Sequence, residues 1–152
     1  EEKSSSKRVM DIVRASSSLP FVSPITYVDG VPMLDGGIAD SIPIEYAMSQ
    51  GYDKIVLILT RNKGYRKKES KMGFAKAFYR QYPNLQRALS ERNAKYNKTM
   101  DLIEGLEEEG RITVIRPLKA IEVSRMGKDT AKLTALYEEG YEIAERIISS
   151  KE

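Results

Sequence analysis

The sequence predicts an α/β protein with three α/β/α layers and a mostly parallel sheet. Three observations carry this. Ile55-Val56-Leu57-Ile58-Leu59 is an apolar run of strand length with no polar alternation, which fits a parallel strand covered on both faces. Ile112-Thr113-Val114-Ile115 is a second run of the same kind. Segments apolar at helical spacing lie before, between and after these two runs.

Each element has its own signal. Lys7 to Ala15 carries Val9, Met10, Ile12 and Val13 among charges, so a short helix is expected, with Ser4, Ser5 or Ser6 as N-cap. Ser16-Ser17-Ser18-Leu19-Pro20 ends it in a small-residue loop. Ile25 to Val28 and Val31 to Leu34 flank Asp29-Gly30, the chemistry of a type I′ hairpin turn. Pro32 cannot donate to a ladder, which puts its strand at an edge. Asp40-Ser41-Ile42-Pro43 is expected to open a helix and Gly51 to close it. With the strand at 54–60, residues 31–60 then form a right-handed βαβ unit. Lys71 to Arg80 is expected to be helical. Pro83 opens a longer helix through Leu85, Leu89, Tyr96, Met100, Ile103 and Leu106, which Gly110 closes. Asp129-Thr130 caps a last helix with Leu133, Leu136, Tyr137, Gly140, Ala144, Ile147 and Ile148 on one face. A glycine inside a helix costs about 1 kcal/mol relative to alanine, so Gly140 implies close packing against the sheet.

Composition narrows the chemistry. The chain has 152 residues, 41 % hydrophobic and 31 % charged, which is globular and enough for one core. It contains no cysteine and no histidine. Disulfides, Cys or His metal sites and every His-dependent triad within these residues are therefore excluded. No cofactor is expected. Asp29, Asp35 and Asp40 recur at spacings of six and five residues, but without EF-hand spacing, so no metal is expected either. No apolar stretch approaches the roughly 18 residues of a membrane span, and the first residues are polar. A cytoplasmic location with peripheral membrane contact follows as the expectation.

The net charge of +3 is small but unevenly placed. Arg61, Lys63, Arg66, Lys67, Lys68 and Lys71 crowd one segment against Glu69 alone. Arg66, Lys67 and Lys68 are candidate contacts for an anionic surface. No RNP-type aromatic-basic motif accompanies them, so nucleic acid is not the expected partner. Asp35-Gly36-Gly37 is the candidate chemical site. A carboxylate at a strand-to-helix turn stands where α/β proteins place function, and glycines permit positive φ or close approach to the backbone. A turn aspartate bonded to its own amides gives the same tripeptide.

Arg14-Ala15-Ser16-Ser17-Ser18-Leu19-Pro20, the hairpin, and Leu34-Asp35-Gly36-Gly37-Ile38-Ala39-Asp40-Ser41-Ile42-Pro43 together resemble the bacterial patatin-like phospholipases. So do Ile55 to Arg61 followed by Gly64-Tyr65-Arg66-Lys67-Lys68, and Tyr96-Asn97 followed by Ile115-Arg116-Pro117. The resemblance implies a lipid acyl hydrolase, a phospholipase or esterase with a Ser-Asp dyad and no histidine. It assigns the base to Asp35, site backbone to Gly36 and Gly37, and site lining to Ser16, Ser17 and Ser18. The family's serine lies in a Gly-x-Ser-x-Gly elbow, and a Gly-rich loop supplies the oxyanion amides. Neither element occurs here. Residues 1–152 are accordingly expected to be the C-terminal part of one patatin-like domain, inactive alone and self-associating through uncovered strand edges. The rival expectation is a non-catalytic α/β module that uses the 61–71 loop for anionic partners.

Overall fold

The computed structural model describes residues 2–68, 77–121 and 129–149. Its helices are α1 (Glu2–Ser16), α2 (Ile44–Ser49), α3 (Pro83–Glu108) and α4 (Thr130–Ser149). The strands are β1 (Thr26–Val28), β2 (Val31–Met33), β3 (Val56–Ile58) and β4 (Thr113–Ile115), and a single 3-10 turn spans Gly36–Ile38. The content is mixed α/β. Two compact units interleave along the chain: Glu1–Ile42 with Lys68–Tyr96, and Pro43–Lys67 with Asn97–Glu152. Because the chain passes between them repeatedly, no composition break marks a boundary.

In the first unit β1 and β2 pair antiparallel, with Thr26 opposite Met33 and Val28 opposite Val31. Asp29 and Gly30 have φ of 50° and 79°, as a type I′ turn requires. Pro32 lies opposite Tyr27, where its missing N–H costs nothing to a two-stranded ribbon. The α1 helix begins at Glu2, so the serines expected to cap it lie within it. A small core of Ile38, Tyr79 and Leu89 gathers Phe21, Ile25, Leu34, Tyr82 and Leu85 around it. Phe21 has φ of 66°, which is strained for a bulky residue. It is held there by Tyr79, whose hydroxyl accepts the Phe21 N–H at 2.9 Å and whose ring lies 5.1 Å away.

In the second unit β3 and β4 pair in parallel, Leu57 opposite Val114. The expected βαβ unit of residues 31–60 does not form, since β2 pairs with β1 and β3 with β4. The parallel crossover instead runs through α3. The described strands therefore make one antiparallel and one parallel pair rather than one mostly parallel sheet. Nor is β3 covered on both faces: Val56 is 59 % and Ile58 77 % exposed. Its apolar run reads like a sandwiched strand, but one of its faces is open.

The core of this unit is the inner stripe of α3, Met100, Ile103 and Leu106, with Ile112, Val114 and Ile44. A Schellman motif ends α3: Arg111 N–H donates to Leu106 O, Gly110 N–H donates to Glu107 O, and Gly110 has φ of 70°. Gly51, with φ of 74°, likewise ends α2. The start of α2 departs from expectation, because its N-cap is Pro43 and no side chain caps it. Asp129 does cap α4, accepting the Lys132 N–H at 3.2 Å. The face expected to be buried on α4 is mostly open, with Leu133, Tyr137 and Ile148 exposed, and the helix instead buries Ile143, which was not among the residues expected there. A Cβ at Gly140 would meet nothing within 4 Å, so the expected close packing is absent. The helix expected at 71–80 falls largely outside the described residues.

Candidate functional site

Asp35 follows the hairpin directly. Its N–H donates to Ser18 O at 2.9 Å, which ties the start of the Asp-Gly-Gly box to the end of α1. With φ of −47° and ψ of 122° it caps the 3-10 turn, and its Oδ1 accepts the Gly37 N–H at 2.8 Å. Ile38 N–H donates back to Asp35 O at 3.2 Å, and the buried Ile38 side chain pins the turn to Leu89 and Tyr79. The carboxylate is half-buried. Among the described residues Oδ2 accepts no hydrogen bond. One oxygen is thus committed to the turn and the other is available.

The glycines serve this arrangement differently from expectation. Neither Gly36 nor Gly37 has positive φ. A Cβ on Gly37 would lie 3.1 Å from Asp35 Oδ1, a tight contact that would press on the bonded oxygen, so glycine suits the close approach there. A Cβ on Gly36 would meet nothing within 4 Å. The Gly37 carbonyl accepts two donors, Ser41 Oγ at 2.8 Å and Arg92 Nε at 3.0 Å. Ser41 is therefore bonded within this turn rather than capping α2. Arg92 comes from α3, 55 residues away in sequence, and local pattern contained no signal for it.

The three serines sit at the end of α1. Ser16 and Ser17 are exposed and Ser18 is buried. Ser17 Oγ donates to Val13 O at 3.0 Å and Ser18 Oγ to Arg14 O at 2.8 Å, so both hydroxyls bond back to carbonyls of the last turn of α1, which the Ser17 N–H also reaches. Ser18 Oγ also lies 3.0 Å from Thr26 Oγ1. Ser18 meets Asp35 through its main chain. Asp29 stays in the hairpin turn and binds Arg8 at 2.8 Å. Among the described residues no group of three or more acidic, His or Cys side chains is placed to hold a metal ion.

The basic loop lies against the acidic face of α3. Arg66 bonds Asp101 at 2.6 Å and Glu104 at 2.8 and 3.2 Å. Lys63 pairs with Glu108 at 3.1 Å. Lys67 exchanges its N–H and C=O with the Asn97 side chain at 2.8 and 2.9 Å, and Lys68 is exposed. Lys71 lies outside the described residues. Arg116 is buried, bonds Glu107, and approaches Glu104 at 3.8 Å. Desolvation pushes the Arg116 pKa down, while the Glu104 charge opposes the shift. The hydrogen bond from Arg66, with the Gly64 N–H and the charge of Arg116, holds the Glu104 carboxyl at about 2 despite its burial. The same pair raises Arg66 further above its ordinary value.

Among the described residues, two cavities of about 440 Å³ stand out. One lies in the second unit between Ile58, Ile115 and the Leu136–Ala144 stretch of α4. The other lies in the first unit beside Phe21, Pro24, Phe78 and Tyr82. Neither is lined by Asp35, so room for a substrate does not identify the site here. Among the described residues no helix is long and apolar enough to cross a membrane.

Comparison with known proteins divides the chain. Residues 1–48 match the family Patatin-like phospholipase, which supports a patatin-like relationship for the stretch holding Ser16 to Ser18 and the Asp35 box. Residues 82–151, which include α3, β4 and α4, match a domain of unknown function, DUF6363. The chain is 42 % identical over 52 residues to the uncharacterized protein YjjU of Escherichia coli (strain K12). That alignment covers 34 % of this chain and 15 % of YjjU. No solved structure matches the chain.

The charge network generates a pH prediction. Glu104 titrates near 4.5 when unpaired and near 2 in the fold, so the unfolded chain binds more protons between these values. The stabilisation from Glu104 is complete above pH 4.5 and is lost as pH falls toward 2. Glu104→Gln is expected to destabilise by about 2 kcal/mol at neutral pH, below the ~3–5 kcal/mol of a fully buried pair. It should also flatten the acid limb of urea-unfolding stability against pH. An unchanged acid limb contradicts the assignment.

Proposed function

We propose that the chain carries the general base of a serine acyl hydrolase acting on lipid or other carboxylic esters. The chemical step needs a serine hydroxyl, which is a weak nucleophile until a base takes its proton. Asp35 Oδ2 is that base, and the serine lies outside residues 1–152. Serine Oγ attacks the ester carbonyl as its proton passes to Asp35, and the proton then goes to the departing alkoxide. Water then attacks the acyl-enzyme as its proton passes to Asp35, the bond from the carbonyl carbon to serine Oγ breaks, and Asp35 returns the proton to Oγ. Charge develops on the carbonyl oxygen as the serine attacks, and upstream oxyanion amides must stabilise it to supply much of the rate.

The observation that carries this reading is the match of residues 1–48 to Patatin-like phospholipase, taken with a carboxylate in that stretch fixed on one oxygen and open on the other. In the same reading the chain is the C-terminal part of a three-layer patatin-like α/β domain. Ser16, Ser17 and Ser18 are read as lining of the site rather than its nucleophile: the Ser17 and Ser18 hydroxyls serve the end of α1, and none of the three stands in a Gly-x-Ser-x-Gly elbow. Of Arg66, Lys67 and Lys68, contact with anionic lipid rests on Lys68 with Lys67 beside it in sequence, because Arg66, like Lys63, is engaged with α3.

The exposed apolar face of β3 supports self-association of the 152-residue chain. Light scattering is expected to give a dimer or larger species, and a strict monomer at high concentration opposes it. Asp35→Asn in the full-length protein tests the catalytic assignment. The amide oxygen still accepts the Gly37 N–H, so the fold should persist while kcat falls about 10²- to 10⁴-fold. Asp40→Asn is the control: the Asp40 side chain makes no hydrogen bond among the described residues, and both rate and stability should stay close to the parent. Full activity in Asp35→Asn removes the assignment.

A further inference from the structure

We infer that Arg92 is a positioning residue for Asp35, acting through the Gly37 carbonyl. The inference rests on the acyl-hydrolase reading for its consequence, though not for its geometry. Gly37 is gripped from both sides of its α-carbon. Its N–H holds Asp35 Oδ1 at 2.8 Å, and its C=O is held by Arg92 Nε at 3.0 Å and Ser41 Oγ at 2.8 Å. Ser41 belongs to the segment that leaves the turn and moves with it. Arg92 belongs to a long helix, so it ties the turn to an independent element.

That helix also grips the turn by packing. Leu89, three residues before Arg92, is buried against Ile38, the last residue of the 3-10 turn. Residues three apart share a helix face, so the apolar and polar grips come from one stripe of α3. A charged donor makes the stronger class of hydrogen bond. The contact also joins the two stretches that match different families, because Gly37 lies within residues 1–48 and Arg92 within 82–151. The start of the DUF6363 stretch therefore has a task in the patatin-like site: it sets where the Asp35 carboxylate points. Arg92 is half-buried and contributes a polar tie rather than core volume, so its loss should misplace the turn without unfolding the unit.

The test uses Arg92→Ala, Arg92→Lys and Asp35→Asn in the full-length protein. Arg92→Ala is expected to lower kcat about 10-fold with KM unchanged, short of the ~10²-fold of a 1 Å misplacement because Ser41 still holds the carbonyl. Arg92→Lys, which can donate to the same carbonyl, should recover part of the loss. Full activity in Arg92→Ala beside an inactive Asp35→Asn overturns this inference and leaves the hydrolase reading standing. Full activity in Asp35→Asn overturns that reading instead, and amide exchange then decides the positioning role. In the 152-residue chain, Arg92→Ala should speed exchange of the Gly37 N–H and leave that of the hairpin residue Val31 unchanged. Unchanged Gly37 exchange, or faster exchange at both, overturns the inference.

Discussion

The hydrogen bond from the Gly37 N–H to Asp35 Oδ1 is the constraint on which the candidate site depends. A free aspartate at a turn samples several rotamers, and a base that samples several positions is a poor one. Fixing one oxygen orients the other without using it. Several features of the first unit follow from keeping this bond. Glycine at position 37 leaves this oxygen room, since a Cβ would crowd it at 3.1 Å. Ser18 O takes the Asp35 N–H, Ile38 anchors the far end in the core, and Ser41 and Arg92 hold the Gly37 carbonyl. The turn-aspartate geometry and the proposed base are therefore compatible: the first uses Oδ1, and the second needs Oδ2.

Within each unit α3 performs a different kind of work. In the first, Leu89 and Arg92 support the Asp35 turn. In the second, Met100, Ile103 and Leu106 form core, while Asp101, Glu104 and Glu107 neutralise Arg66 and Arg116. Burying Arg116 is costly unless its charge is met, and Glu104 and Glu107 meet it. The basic loop is thus less a free cationic surface than its composition suggests. Lys63 and Arg66 are answered by α3, and the segment is fixed through Gly64 and Asn97 as well as by these ion pairs.

What the sequence revealed was mostly local. Asp29-Gly30, Gly51, Gly110 and Asp129 each specify a backbone state through their own chemistry, and each is found in the expected role. The parallel pairing of β3 and β4 agrees with their mostly apolar runs, although the two-sided burial that argued for it is not what β3 shows. Their partners were not. Pairing β2 with β3 looked natural because they follow one another around a helix, yet pairing is decided by contacts distant in sequence, and β3 found β4. Apolar content misled in the same way at Ile58 and Tyr137, where it implied a burial that the described residues do not supply. At the site, the aspartate and its glycines were visible as a tripeptide. Arg92 was not, because an arginine in an amphipathic helix has no local mark that distinguishes a tie to Gly37 from a solvated charge.

The central claim is that Asp35 activates a serine that these 152 residues do not contain. A fluorophosphonate labels an activated serine covalently, and peptide mapping then locates it. The full-length protein is expected to carry the label on one serine outside residues 1–152, with labelling sharply slowed in Asp35→Asn. Label on Ser16, Ser17 or Ser18, or labelling indifferent to Asp35→Asn, would contradict the account.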